Sequence, residues 1–413
     1  MTTTSHSRLR ALAAAAASAA ALAYAAPAMA QGTVTIGIST TLSGPIAELG
    51  QTGVRGIEMA ADAINASGGL LGKKINVVTA DDNTSPATGA SNVRQMILSD
   101  HAAAIFGPVS SAVAAAEESL AAQYKTPILF FTSNDVKLTT DDFTKYAFQV
   151  VPNTVMEPRA VADYLAAKIG DKPITIATIT PDYSFGRDTV SAFLTALTAD
   201  GVKYTVKAQE TPALGATQYT SYIAALIAAH PEYTFIGEYG GDLVTLTKQA
   251  EGFGFFEHTK ALGLYNLAEL KALAGKAPAD AIAWNRAPFW AMKGPGMQKF
   301  NDDYHAKYHE WPAAWTILGY TAVQTWAEGV KKADSFDADK VSAALSGATV
   351  QTIRGPITLR ACDHQGDVGE YIGLIMPKID PKYGYQIYQD TELIPASKLM
   401  LTCKQAEALQ PKP

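Results

Sequence analysis

The chain has 413 residues, 48% of them hydrophobic and 17% charged, with a net charge of −6. That length and apolar content allow about two domains, each with its own core. The acidic charge is spread along the chain and argues against a nucleic-acid partner, and no segment beyond residue 30 approaches the roughly 20 apolar residues needed to span a bilayer.

The N-terminus carries an export pattern. Arg8 and Arg10 form a short basic region, residues 12–26 hold no charge, and Ala28-Met29-Ala30 is a small-x-small site where the apolar run ends. Together these predict a secretory signal peptide over residues 1–30, with the mature chain starting near Gln31 in the periplasm. An Ala-rich structural helix is the alternative, disfavoured by the position of the cleavage pattern. Leu9 separates the two arginines, against a twin-arginine signal, and no cysteine near the site offers a lipid attachment point.

Short apolar runs then alternate with helical patterns. Strands are expected at 33–39, 75–79, 103–106 and 127–131, and helices at 46–64, 86–98 and 111–123. The pattern restarts with strands at 174–179, 204–207, 233–236 and 261–264 and helices at 185–198, 219–228 and 243–251. Strands apolar on both sides and separated by helices imply parallel sheets covered on both faces, an α/β fold in two units with a joint near residues 149–153. Residues 281–289 read as extended, 297–308, 313–331 and 338–346 as helices, and 353–359, 371–375 and 385–388 as strands. The simplest account is a chain that crosses back to complete both lobes, leaving a hinge and a cleft where small molecules bind.

Cys362 and Cys403 are the only cysteines. In an oxidising compartment they predict one disulfide tying down the C-terminal tail, worth about 3–4 kcal/mol. A metal or redox pair is the alternative, but two isolated thiols outside a C-x-x-C make a poor site.

Enzymatic motifs are missing. There is no G-x-x-x-x-G-K-[ST] loop and no G-x-S-x-G elbow, and Gly50, Gly53 and Gly56 have the wrong spacing for a dinucleotide fingerprint. Those glycines are read as letting the first helix approach the sheet. His305 and His309 share a helix face, but Ala306 stands where a zinc protease needs Glu, so a solvated face is the preferred reading. Asp363-His364 is read as a turn beside the disulfide, and Asp81-Asp82 and Asp302-Asp303 as adjacent rather than facing carboxylates. No metal or cofactor is expected.

Two loops look suited to an anion. In Phe106-Gly107-Pro108-Val109-Ser110-Ser111 a strand turns into a helix whose first-turn N–H groups are unpaired and lie at the positive end of its dipole. Simple capping by one serine is the alternative. Thr132-Ser133-Asn134 ends the next strand and offers hydroxyls and an amide, unless it is an ordinary polar turn. In the second unit Tyr183, Phe185, Tyr239 and Tyr265 stand just past strand ends, as an aromatic cleft wall would.

With Ile36 to Pro45, the segments Gly56 to Asn65 and Gly68 to Lys73, Phe106 to Ser111, Asp182 to Gly186 and Ile353 to Pro356 in this order, the sequence resembles the periplasmic branched-chain amino-acid-binding (Leu/Ile/Val) family of type I solute-binding proteins over essentially the whole mature chain. The resemblance implies two Rossmann-like lobes joined by three crossings, with residues 31–150 and 283–353 in the first lobe and 151–282 and 354–413 in the second. It implies a monomer that delivers its ligand to the membrane permease of an ABC transporter with its ATPase. Val109, Ser110, Ser111, Thr132, Ser133 and Asn134 would hold the ligand's carboxylate, and Tyr183, Phe185 and Tyr239 would form the wall.

The resemblance also exposes a departure. Amino-acid binders of that family place an acid on the loop after the fourth strand of the second lobe to pair with the ligand ammonium, where this sequence aligns Tyr265. A threonine assisting the ammonium appears as Asn134. A buried ammonium without a carboxylate is costly, so the expected ligand is a small carboxylate with an aromatic or apolar body. Amino-acid or amide binding, with Glu238 or Asp242 as the acid, is the alternative. A ligand-sensing module for a receptor is the alternative of another class.

Overall fold

The computed structural model describes residues 32–294 and 296–412. The expected signal peptide lies outside the described residues. Among them no helix is long and apolar enough to cross a membrane.

The first lobe is built on a parallel five-stranded sheet, in the order β2 (Lys74–Asp81), β1 (Thr33–Thr40), β3 (Ala102–Phe106), β4 (Ile128–Phe130) and β5 (Ala147–Gln149). Every residue of β4 and β5 is buried, as expected of strands apolar on both faces. Helices α1 (Ala47–Ala66), α2 (Pro86–Leu98) and α3 (Ser111–Gln123) connect the first four strands. A Cβ on Gly56 would come 2.0 Å from the carbonyl oxygen of Thr316, so glycine is what lets α1 lie against the later helix that carries Thr316.

The chain then crosses to a second, seven-stranded sheet. β7 (Tyr204–Glu210), β6 (Ile174–Ile179), β8 (Tyr233–Ile236), β9 (Lys260–Gly263) and β10 (Ile282–Asn285) run parallel in that order. They are interleaved with α4 (Met156–Ile169), α5 (Ser184–Ala199), α6 (Thr220–Ala229), α7 (Gly240–Gly252) and α8 (Leu267–Leu273). A second crossing returns the chain to the first lobe as α9 (Met297–Tyr308), α10 (Ala314–Ala333), α11 (Ala338–Leu345) and a hairpin of β11 (Thr349–Thr352) and β12 (Gly355–Thr358). A third crossing leads to β13 (Glu370–Ile375) and β14 (Tyr388–Ile394), which extend the second sheet antiparallel.

Several expected boundaries move. β10 belongs to the second sheet through Asn285, so the second crossing begins after it and not at residue 283. Residues 353–359 do not form one strand of the second lobe. Gly355 to Thr358 folds back on β11, because Ile353 and Arg354 make the turn of a hairpin whose Val350 and Ile357 bury their side chains in the core. The last strand starts at Tyr388, where the stretch 385–388 was expected to be its whole length.

Cys362 and Cys403 form a disulfide across a sequence separation of 41. It fastens α12 (Ala396–Leu399) and α13 (Cys403–Leu409) to the third crossing, helped by the Arg360 guanidinium, which donates to the Leu401 carbonyl at 2.5 Å.

Candidate ligand-binding site

The strand ends of both sheets face one another across the crossings, and the lobes touch there. The Gly241 amide of α7 donates to the Pro45 carbonyl of the first lobe at 3.1 Å. Between them lies a small space walled by Leu49, Val109, Ser111, Thr132, Asn134 and Trp315 from the first lobe, by Tyr183, Phe185, Tyr239 and Leu264 from the second, and by Arg286 from the second crossing.

The β3–α3 loop reaches this space by a close approach. Gly107 has φ +149°, and a Cβ there would come 1.9 Å from the Ser39 carbonyl oxygen. The loop is pinned to its neighbour by the Ser133 amide, which donates to the Pro108 carbonyl at 3.0 Å. Ser111 is the first residue of α3, where the amides have no intrahelical acceptor and the helix dipole is positive. Ser110 precedes it in extended conformation and makes no side-chain cap, so capping is not the role of the serine pair.

Seven of the ten expected residues line the space: Val109, Ser111, Thr132, Asn134, Tyr183, Phe185 and Tyr239. Ser110 and Ser133 are buried beside them without reaching the wall. Tyr265 is a correction. It is fully buried, its ring packs in a separate hydrophobic cluster, and its hydroxyl stands 3.2 Å from Thr247 Oγ1. Leu264, one residue earlier, is the one that faces the space, because successive side chains of an extended segment point to opposite faces.

The aromatic wall is a connected set. Tyr183 and Tyr239 share a hydrogen bond of 2.7 Å between their hydroxyls. Phe185 stacks on Tyr183 at 5.9 Å and meets Tyr239 edge-on at 5.4 Å. Burial holds the Tyr239 phenol above its ordinary value, so both rings stay neutral.

Sequence reading missed Arg286, Trp315, Leu49 and Leu264. Arg286 is buried, with its guanidinium 5.0 Å above the Trp315 ring. It donates through Nε and Nη2 to the Glu157 carboxylate and through Nη1 to the Thr132 carbonyl. Asn134 Nδ2 donates to the same carboxylate at 2.9 Å and to the Pro152 carbonyl at 3.1 Å. Thr132 Oγ1 and Trp315 Nε1 are buried without a hydrogen-bond partner. Both belong to side chains lining the same space. The alternation of strand ends gave no signal for Arg286, which lies outside any strand-end loop of the first four strands of either sheet.

The acids proposed to replace a missing ammonium partner do not line the space. Glu238 lies behind the wall, where burial pushes its carboxyl up to about 9, aided by the charge of Asp242. Asp242 accepts the Gly215 amide at 2.6 Å. The other motifs are structural: His305 stacks on Trp311 at 4.5 Å, and His364 stacks on Phe148 at 4.4 Å with Nδ1 3.0 Å from the Ala147 carbonyl.

Residues 33–373 match the family described as periplasmic binding protein, and the chain belongs to that family, among proteins of the Leu/Ile/Val-binding type. A Leu/Ile/Val-binding protein of Rhizobium johnstonii is 28% identical over 334 residues, covering 79% of this chain and 87% of its own. A periplasmic binding protein of Burkholderia mallei superposes with a TM-score of 0.81 at 23% identity, over 91% of this chain and 98% of its own. The solute-binding protein of an ABC transporter from R. palustris, in complex with benzoate, has a TM-score of 0.77 at 23% identity, over 88% and 97%. Members of the family bind small ligands for ABC transporter permeases in the periplasm and are not enzymes.

Proposed function

We propose that this protein is the periplasmic substrate-binding component of an ABC-type uptake transporter, and that it binds a small aromatic or apolar carboxylate between its lobes. In this reading residues 1–30 are a cleaved export signal. The mature chain is a soluble monomer without catalytic activity, and it hands its ligand to a membrane permease driven by an ATPase.

The composition of the space between the lobes carries the ligand assignment. Among the described residues, the charged side chain on its wall is Arg286 and no carboxylate lines it. A ring or branched chain would pack against Tyr183, Phe185, Tyr239 and Leu264, while Ser111, Thr132 and the first turn of α3 offer donors to an anion. An α-ammonium would be buried there without an acidic partner.

Calorimetric titration of the mature protein with benzoate and with isoleucine tests this. Benzoate is expected to bind and isoleucine not. Binding of isoleucine alone would return the site to the amino-acid reading that the R. johnstonii relative's name suggests.

A further inference from the structure

The strand-end loop Thr132-Ser133-Asn134 of the first lobe is held from the crossings. The Asn134 carbonyl accepts the Thr154 amide of the first crossing at 2.9 Å. Asn134 Nδ2 spends its hydrogens on the Pro152 carbonyl at 3.1 Å and on Glu157 Oε2 at 2.9 Å. The Thr132 carbonyl accepts from Arg286 Nη1, and the same guanidinium closes on Glu157 through Nε and Nη2. Glu157 lies in the first turn of α4, in the second lobe. One second-lobe carboxylate therefore holds a first-lobe loop twice, directly at Asn134 and through Arg286 at Thr132.

Glu157 is buried and is not among the described residues that line the space, whereas Thr132 and Asn134 are. Thr132 Oγ1 has no hydrogen-bond partner in the protein, which leaves it free to donate to a ligand. Hydrogen bonds weaken steeply with misalignment. A hydroxyl on this loop is therefore only as useful to the ligand as the groups that fix the loop.

We propose that Glu157 is a positioning residue for the ligand: from the second lobe it sets the Thr132–Asn134 loop so that Thr132 Oγ1 meets the ligand's carboxylate. The inference rests on the proposed carboxylate site and goes beyond it by naming a residue that acts without lining the space. Simple electrostatics expects the opposite of positioning. A carboxylate near the site repels an anion, so Glu157→Gln would tighten binding if charge alone mattered. Positioning requires Glu157→Gln to weaken it, because one amide oxygen replaces two carboxylate oxygens that accept from three nitrogens.

A double-mutant cycle tests this, with benzoate titrated by calorimetry and folding followed by thermal melts. Glu157→Gln is expected to weaken benzoate binding about tenfold, the scale of one hydrogen bond. In a Thr132→Val background the same change is expected to weaken it by about threefold or less, because the hydroxyl it positions is gone. A merely structural role lowers the melting temperature and leaves the two losses of affinity additive. If Glu157→Gln does not fold, Glu157→Asp takes its place in the cycle: it keeps a charge for Arg286 but is one methylene too short to serve Asn134 as well. Additive losses, unchanged affinity or tighter binding by the Glu157 variant overturn the inference and leave carboxylate binding standing. If the wild type binds isoleucine and not benzoate, the ligand reading fails, and the same cycle run with isoleucine, through its carboxylate, decides the inference separately. Binding of neither overturns both.

Discussion

Lys271 of α8 reaches across the mouth of the cleft and places its Nζ 2.9 Å from Glu310 Oε2, in the loop before α10. Arg55 of α1 holds the other oxygen of the same carboxylate. The contact joins the second lobe to the first. All three side chains are partly exposed, so the pair contributes no more than about 1 kcal/mol. Glu310→Gln is expected to weaken ligand affinity by up to about fivefold. The change should appear in the dissociation rate measured by stopped flow and shrink at high salt.

The same mouth predicts a pH dependence. Burial pushes the Glu48 carboxyl up to about 7, with Glu310 adding to the shift and Lys271 and Arg55 opposing it. Burial likewise pushes Glu269 up to about 8, with Glu48 adding and the amide of Gly240 opposing. Glu48 belongs to the first lobe and Glu269 to the second, so opening the lobes is expected to return both toward the ordinary 4.5. Raised values mean that the closed form binds more protons. Its advantage is full below 4.5 and is lost as pH rises through 7 and 8. Ligand affinity is expected to fall across that window. Titrations in buffers of different ionisation enthalpy should show net proton uptake on binding near neutral pH.

Ser111 and Tyr265 separate the wall from the core behind it. Ser111→Ala is expected to weaken carboxylate binding by about 1–3 kcal/mol with little change in melting temperature. Tyr265→Phe removes the contact with Thr247. It should lower unfolding free energy by about 0.5–1.5 kcal/mol and leave affinity unchanged. Calorimetric affinity and thermal melts on the two variants give opposite patterns if the assignments hold.

The Cys362–Cys403 bridge closes a long loop around β13 and β14. Replacing both cysteines with serine is expected to lower unfolding free energy by about 3–4 kcal/mol, chiefly by freeing the unfolded chain. Denaturant unfolding of the oxidised protein and the double variant measures it.

The strand-end loops were legible because their chemistry is local. Gly107 is demanded by the passage beside Ser39, and Ser111 follows because a helix must begin there. Tyr265 shows the limit of such reading. Its place beyond β9 was right, but a shift of one residue turns a side chain to the other face of an extended segment, and the space receives Leu264 instead. Nothing local distinguishes the two, since both are apolar enough for either side.

The sequence by itself determined the alternation of strands and helices, the two successive sheets, the disulfide partners and most of the wall, because periodicity and helix starts are properties of neighbouring residues. Only the tertiary structure decided that Arg286 and Trp315 join the wall and that burial holds the Glu370 carboxyl above its usual range. These depend on which segments the crossings bring together. A carboxyl group keeps or loses its proton according to the donors and solvent around it, and for Glu370 those are set by chain segments distant in sequence.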